Sequence, residues 1–194
     1  CFIGKVKLPD FLQQQLKPKK GNVIEIPADL EQLKAYQNLS NDDYRSLAIP
    51  FQFEEAMGIN KGEHNGAHYF TIGQRKGLGI GGTPLPLFVI DTDTQTNSIY
   101  VGQGDEHPGL NRKALLVKND DIHWVRESLE LKNGESKSYL ARIRYRQSLE
   151  KATLFKEANG LYVLFENYQK GISPGQFVAW YEEDELIGSG SIFS

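Results

Sequence analysis

Along the second half of the chain, apolar and polar residues alternate with a period of two, the spacing of a strand with one face buried. The pattern predicts strands over Ser138–Gln147, Lys151–Glu157, Leu161–Asn167, Gln176–Glu183 and Leu186–Phe193. Turn signals separate them: Asn133-Gly134, Asn159-Gly160, Pro174-Gly175 and the acidic Glu182–Glu185 stretch. Short antiparallel strands at such close intervals predict a small closed barrel, which leaves no exposed sheet edge. The first half is less regular. Leu8–Gly21 reads as a short helix capped by Asp10, Asn22–Ile26 as a strand, and Pro86–Gly104 as a hairpin. Between them, residues 27–60 change to helical spacing, with Asp29 before Leu30, Leu33 and Tyr36, and Ser40 three residues ahead of Asp43 in the manner of a capping box. Asp105–Lys113 is loop-like and marks a domain boundary. The expected fold is mainly β with a few short helices: an α+β domain over 1–111, with a helical insertion at about 27–60, followed by an antiparallel β-barrel over 112–194.

At 194 residues the chain is long enough to bury a core without staples. Its net charge of −3 means that any nucleic-acid contact must rest on local cations. A single cysteine, Cys1, excludes an internal disulfide and makes a cytoplasmic setting the expectation. No apolar run approaches the roughly 20 residues of a membrane span, so no membrane partner is expected. Cys1 in place of an initiator methionine reads as the start of a piece cut from a longer protein.

Two stretches carry candidate chemistry. "HYFTIGQRKGLGIGG" (His68–Gly82) concentrates glycine around Arg75 and Lys76. Its spacing fits neither a P-loop nor a dinucleotide fingerprint. It reads either as a structural turn or as a loop facing RNA or another domain, with Arg75 and Lys76 supplying charge. In "ARIRYRQ", strand alternation places Arg142, Arg144 and Arg146 on one face and Ile143 with Tyr145 on the other. The arginines either grip phosphates, with Tyr145 stacking on a base, or form a solvated face paired with Glu150, Glu157 or Glu166. Cys1, with Lys5 and Lys7 nearby, is either a reactive thiolate or inert. The four histidines match no zinc spacing, and no metal is expected. With no nucleophile elbow and no carboxylate pair, spacing alone describes a binding module.

Taken in order, "CFIG", "GNVIEI", "GEHNGAHYFTIGQRKGLGIGG", "VGQGDEHPGL", "HWV", "RYRQ" and "SPGQFVAWY" resemble the bacterial tRNA-specific 2-thiouridylases over nearly the whole chain. The resemblance implies an enzyme that replaces the 2-oxygen of the wobble uridine in tRNAs for Lys, Glu and Gln with sulfur. ATP, with Mg2+, adenylates the oxygen, and a cysteine persulfide delivers the sulfur. It implies that Cys1 is the persulfide carrier, that Arg144 and Tyr145 contact tRNA, and that Gln176 lies near it; Arg146, Arg75 and Lys76 are added on charge. It also implies a central domain followed by a barrel, and a sulfur-donor protein, either a relay or a desulfurase, as partner beside tRNA. The family's Ser-Gly-Gly-x-Asp-Ser loop and its second catalytic cysteine are absent from these residues. Both are expected ahead of Cys1, so the chain itself binds no cofactor and is catalytically incomplete. The competing reading is an autonomous RNA- or protein-binding β-barrel without chemistry.

Overall fold

The computed structural model describes residues 17–194. The expected helix over Leu8–Gly21 lies mostly outside them; within them, residues 17–20 are irregular and Gly21 already opens a strand. The chain divides into two compact units, one made of the residues up to Leu30 with Phe53–Leu110, the other of Glu31–Gln52 with Asn111–Ser194.

The first unit is built on a four-stranded sheet. Its strands are β1 (Gly21–Glu25), β2 (Ile59–His64), β3 (Leu87–Asp93) and β4 (Ser98–Gln103), in the order β2-β1-β4-β3. β1 and β4 run parallel and the other pairs antiparallel. β1 is buried on both faces, which is why "NVIEI" carries successive large apolar residues. Val23 packs with Val89, Ile99 and Val101, while Ile24 packs on the other face with Ile90, Tyr100 and Leu110. The hairpin β3–β4 matches the expected Pro86–Gly104 span. No strand is expected from the sequence over β2, whose first two residues fall at the end of the stretch read as helical. "INKGEH" carries almost no alternation because the strand is mostly exposed, and only its pairing to β1 makes it a strand.

The second unit is a closed barrel of six antiparallel strands. They are β5 (Asn111–Trp124), β6 (Ser136–Arg142), β7 (Glu150–Glu157), β8 (Gly160–Lys170), β9 (Phe177–Glu182) and β10 (Glu185–Ile192). Their order is β10-β5-β8-β7-β6-β9, and β9 pairs back to β10. Inward positions, among them Leu154, Val163, Phe165, Val178, Trp180 and Ile187, fill the interior. Gly188 is a packing requirement there: a Cβ at that position would meet Trp180 Cζ2 at 2.5 Å and the His123 carbonyl oxygen at 2.7 Å.

The helical stretch expected within 27–60 forms α1 (Glu31–Gln37), a 3-10 turn (Asn41–Asp43) and α2 (Tyr44–Leu47). Ser40 and Asp43 do not form a reciprocal box. The Ser40 hydroxyl accepts from the Asp42 N–H, and the Asp43 carboxylate accepts from the Ser46 N–H, so the two residues cap successive short turns. Where the sequence placed this stretch within a domain over 1–111, its contacts place it with the barrel. The Tyr44 ring stacks on Phe155 with centroids 4.0 Å apart, and its hydroxyl donates to Glu157 at 2.6 Å.

Candidate nucleic-acid interface

The connection between β6 and β7 carries three of the six predicted contact residues, Arg144, Tyr145 and Arg146. The expected strand over Ser138–Gln147 ends at Arg142. Beyond it the chain must reverse to pair β7 with β6, and residues 143–149 make that reversal. The Gln147 N–H donates to the Arg144 carbonyl at 3.1 Å. The Gln147 side chain closes the loop, accepting from the Ile143 N–H and donating to the buried Gln169. Ile143 is buried as the loop's anchor, while Arg144, Tyr145 and Arg146 are exposed. The arginine stripe inferred from strand alternation is therefore corrected: Arg142 belongs to the strand, whereas Arg144 and Arg146 are held out on a loop.

Each arginine has a different environment. Arg142 donates from Nη1 to the Tyr145 carbonyl at 3.1 Å and from Nη2 to the Tyr181 hydroxyl at 2.9 Å. Arg144 donates to the Gly171 carbonyl at 3.0 Å, a single bond out of the five N–H groups of a guanidinium. Neither Arg144 nor Arg146 forms an ion pair among the described residues, so the alternative of a stripe neutralised by Glu150, Glu157 or Glu166 has no ion pair behind it. Glu157 is instead engaged by Arg45.

Gln176 approaches the same place from the other side. Ser173–Gln176 is a tight turn in which the Gln176 N–H donates to the Ser173 carbonyl. Pro174 presets its first central position, and Gly175, at φ +79°, supplies the left-handed second one. The turn delivers Gln176 to the start of β9, where alternation sends Val178 and Trp180 inward and Phe177, Ala179 and Tyr181 outward. Arg144, Tyr145 and Gln176 line one open cleft of about 520 Å³, completed by Arg142, Ile143, Phe177, Ala179 and Tyr181. Two guanidinium groups and no carboxylate face it. Phe177 and Tyr181 were not singled out in the sequence, although the alternation in "QFVAWY" puts both on the outward face.

Arg75 and Lys76 belong to the first unit. Their loop is pinned to the sheet: the Gly73 N–H donates to the Val89 carbonyl at 2.8 Å, and the Val89 N–H donates to the Gln74 carbonyl at 2.9 Å. Leu78, buried, and Ile80 anchor the glycine-rich end on the face formed by Val23 and Val89. Arg75 is exposed and lines a second cleft of about 450 Å³ with Leu85, Gln103, Asp105 and Glu106 among others; Lys76 is exposed beside it. Cys1 lies outside the described residues. Among those residues no three metal-ligating side chains come together, and no helix is long and apolar enough to cross a membrane.

Two family models match the chain. Residues 112–192 match one described as an aminomethyltransferase β-barrel domain, and residues 53–103 match one described as a tRNA methyl transferase PRC-barrel domain. Over 99% of its length, the chain is 53% identical to the tRNA-specific 2-thiouridylase MnmA of Flavobacterium johnsoniae. The chain belongs to the tRNA-specific 2-thiouridylase family. It is also 52% identical to the 2-thiouridylase of Christiangramia forsetii and 35% identical to that of Pseudomonas aeruginosa, again over 99% of its own length. It spans about half the length of these curated relatives: 49% of the first two and 43% of the third. In this chain the barrel brings Arg144, Tyr145 and Gln176 to one cleft.

Proposed function

We propose that this chain is the tRNA-holding part of a tRNA-specific 2-thiouridylase and that the cleft at the β6–β7 loop is its RNA contact. The observation that carries the reading is the convergence of Arg144, Tyr145 and Gln176, from two distant stretches of sequence, on one cleft without acidic lining. Exposed guanidinium groups supply charge-assisted bonds to phosphate, and an exposed tyrosine supplies a stacking surface. Arg146 adds a cation on the same loop, and Arg75 and Lys76 add two in the first unit.

In the whole enzyme the substrates are the tRNAs for Lys, Glu and Gln. ATP would adenylate the 2-oxygen of the wobble uridine; the terminal sulfur of a persulfide on Cys1 would attack C2 as AMP leaves, and the family's second catalytic cysteine would then attack the Cys1 sulfur, breaking the S–S bond to free the 2-thiouridine and leaving a disulfide that an external thiol reductant reopens. A sulfur-donor protein reloads Cys1. The residues described here do not fit ATP. The glycine-rich loop opens no helix, and Gly73 already commits its N–H to Val89. The nucleotide, with its Mg2+, is therefore assigned to the remaining length of the relatives.

The test is binding of tRNA for Glu to the chain and to its Arg146→Glu and Arg144→Glu variants. Arg146 makes no hydrogen bond or ion pair with a described residue, so its reversal is expected to weaken binding at least about fivefold with the melting temperature unchanged. Arg144→Glu is expected to weaken binding further, with a small loss of stability from the Gly171 bond. Unaltered affinity in both variants would remove the loop from the interface.

A further inference from the structure

The chain holds three Asn-Gly pairs: Asn65-Gly66, Asn133-Gly134 and Asn159-Gly160. Such a pair is chemically weak. With no Cβ on the glycine to hinder it, the glycine nitrogen can reach the asparagine side-chain carbon and close a five-membered imide. Two of the pairs are held against this. The Asn133 amide oxygen accepts from Lys156 Nζ at 3.1 Å, and the Gly134 N–H donates to the Lys156 carbonyl at 2.8 Å. The Asn159 amide nitrogen donates to the Tyr162 hydroxyl at 2.8 Å, and Gly160 is paired in the barrel with Lys118 and Glu157. Asn65 differs. It is exposed, and its side-chain amide forms no hydrogen bond with a described residue. The Gly66 N–H beside it donates to an imidazole nitrogen rather than a carbonyl: His64 Nδ1, at 2.9 Å. Burial lowers the His64 pKa, so at neutral pH the ring is uncharged and Nδ1 offers its lone pair. The glycine is required by the fold, since its φ is +144° and a Cβ there would meet His68 Cε1 at 2.6 Å. A base therefore sits on the one N–H whose proton imide closure must remove.

We propose that Asn65 is a self-modification site, deamidated through a succinimide with His64 as general base. His64 Nδ1 takes the Gly66 amide proton as the Gly66 nitrogen bonds to Asn65 Cγ. The tetrahedral carbon then expels its side-chain nitrogen, which takes the proton from the imidazolium and leaves as ammonia. Water opens the imide at either carbonyl, giving aspartate or isoaspartate. One water is consumed, one ammonia is released, and the side-chain amide becomes a carboxylate. Isoaspartate also inserts a carbon into the backbone between two anchored points. The Asn65 carbonyl accepts from the Lys19 N–H at 3.0 Å, and the Ala67 N–H donates to Asn97 Oδ1 at 3.0 Å. The reaction stands apart from RNA contact and does not depend on it.

The experiment incubates the full chain at neutral pH, folded and in denaturant. Trypsin then separates the three pairs, Asn65 lying on the peptide Gly62–Arg75. Mass spectrometry follows the conversion of amide to acid, and electron-transfer fragmentation distinguishes isoaspartate from aspartate. Asn65 is expected to convert at least about tenfold faster in the folded chain than in denaturant, below the full factor of about a hundred or more that a positioned base supplies. It is also expected to outpace Asn133 and Asn159 in the folded chain. His64→Gln is expected to bring the Asn65 rate down to that of the denatured chain or lower. An Asn65 rate in the folded chain no faster than in denaturant overturns the proposal, and this comparison needs no variant to fold. An unchanged rate in His64→Gln with an unchanged melting temperature removes His64 as the base. Conversion to aspartate without isoaspartate would mean direct hydrolysis and overturn the succinimide route.

Discussion

His107 shows how a single side chain is tied to its surroundings. Its Nδ1 accepts from the Gly109 N–H at 3.1 Å, so its Nε2 carries the proton and donates to the Ile26 carbonyl at 3.1 Å. The neutral ring is buried, and Gly102 leaves room for it, since a Cβ there would meet the imidazole at 2.4 Å. Burial holds the His107 pKa below its ordinary 6.5, and His64, also buried, is lowered for the same reason. A base with a depressed folded pKa contributes stability that is complete above the unfolded value and drains away as pH falls below it. The thermal midpoint is therefore expected to hold above pH 6.5 and to drop as the pH is lowered to about 5.5. The slope should reach at most about 1.4 kcal/mol per pH unit for each histidine. His107→Gln should flatten that slope; a wild-type profile flat over the same interval would mean that both imidazoles accept protons without unfolding. The sequence offers His107 only as one of four histidines without metal spacing. Its role depends on Ile26, 81 positions away, which no local pattern reports.

At the scale of elements, the stretch over 31–52 illustrates dependence on a neighbour. Helices as short as α1 and α2 are not stable alone, because nucleation costs more than so few hydrogen bonds return. They are held by the barrel in the same unit. Tyr44 stacks on Phe155, Arg112 donates to the Ala48 carbonyl at 2.7 Å, and the Tyr168 hydroxyl donates to the Gln37 carbonyl at 3.1 Å. Tyr44→Ala is expected to cost about 2 kcal/mol, removing a half-buried ring and its bond to Glu157. Hydrogen exchange should show amides of 31–52 losing protection while those of β7 and β8 keep theirs. An unchanged exchange pattern would show that the helices stand without the barrel contact. Helical spacing announced these elements, and alternation announced five of the six barrel strands; β5 was missed, its first residues falling in the stretch Asp105–Lys113 that reads as a loop. Ser138–Gln147 was overrun because "ARIRYRQ" keeps alternating past the point where β6 must stop. The end of a hairpin strand is set by where its partner begins, and Glu150 begins β7.

For the whole molecule, 22 lysines and arginines face 25 acidic residues, so RNA affinity rests on a few placed cations rather than on net charge. If Arg75, Lys76, Arg144 and Arg146 are the phosphate contacts, log affinity for tRNA against log salt should have a slope no steeper than about −4. A markedly steeper slope would require cations beyond these four, and a flat one would exclude an ionic interface. The ordered blocks from "CFIG" to "SPGQFVAWY" were enough to indicate the 2-thiouridylase family, because a motif series reports ancestry without reference to coordinates. Alternation was likewise enough to indicate a closed barrel, since burying one face of each strand is a local demand met every second residue. Tertiary structure alone decided that the second and third arginines leave the strand and that Gln176 meets Tyr145 across a cleft. It also decided that Phe177 joins them and that the glycine-rich loop is nailed to β3 by Gly73 and Gln74. Those facts are pairings between residues tens of positions apart. They depend on strand register and on where each hairpin turns, and both are settled by the competition of all the strands for one interior.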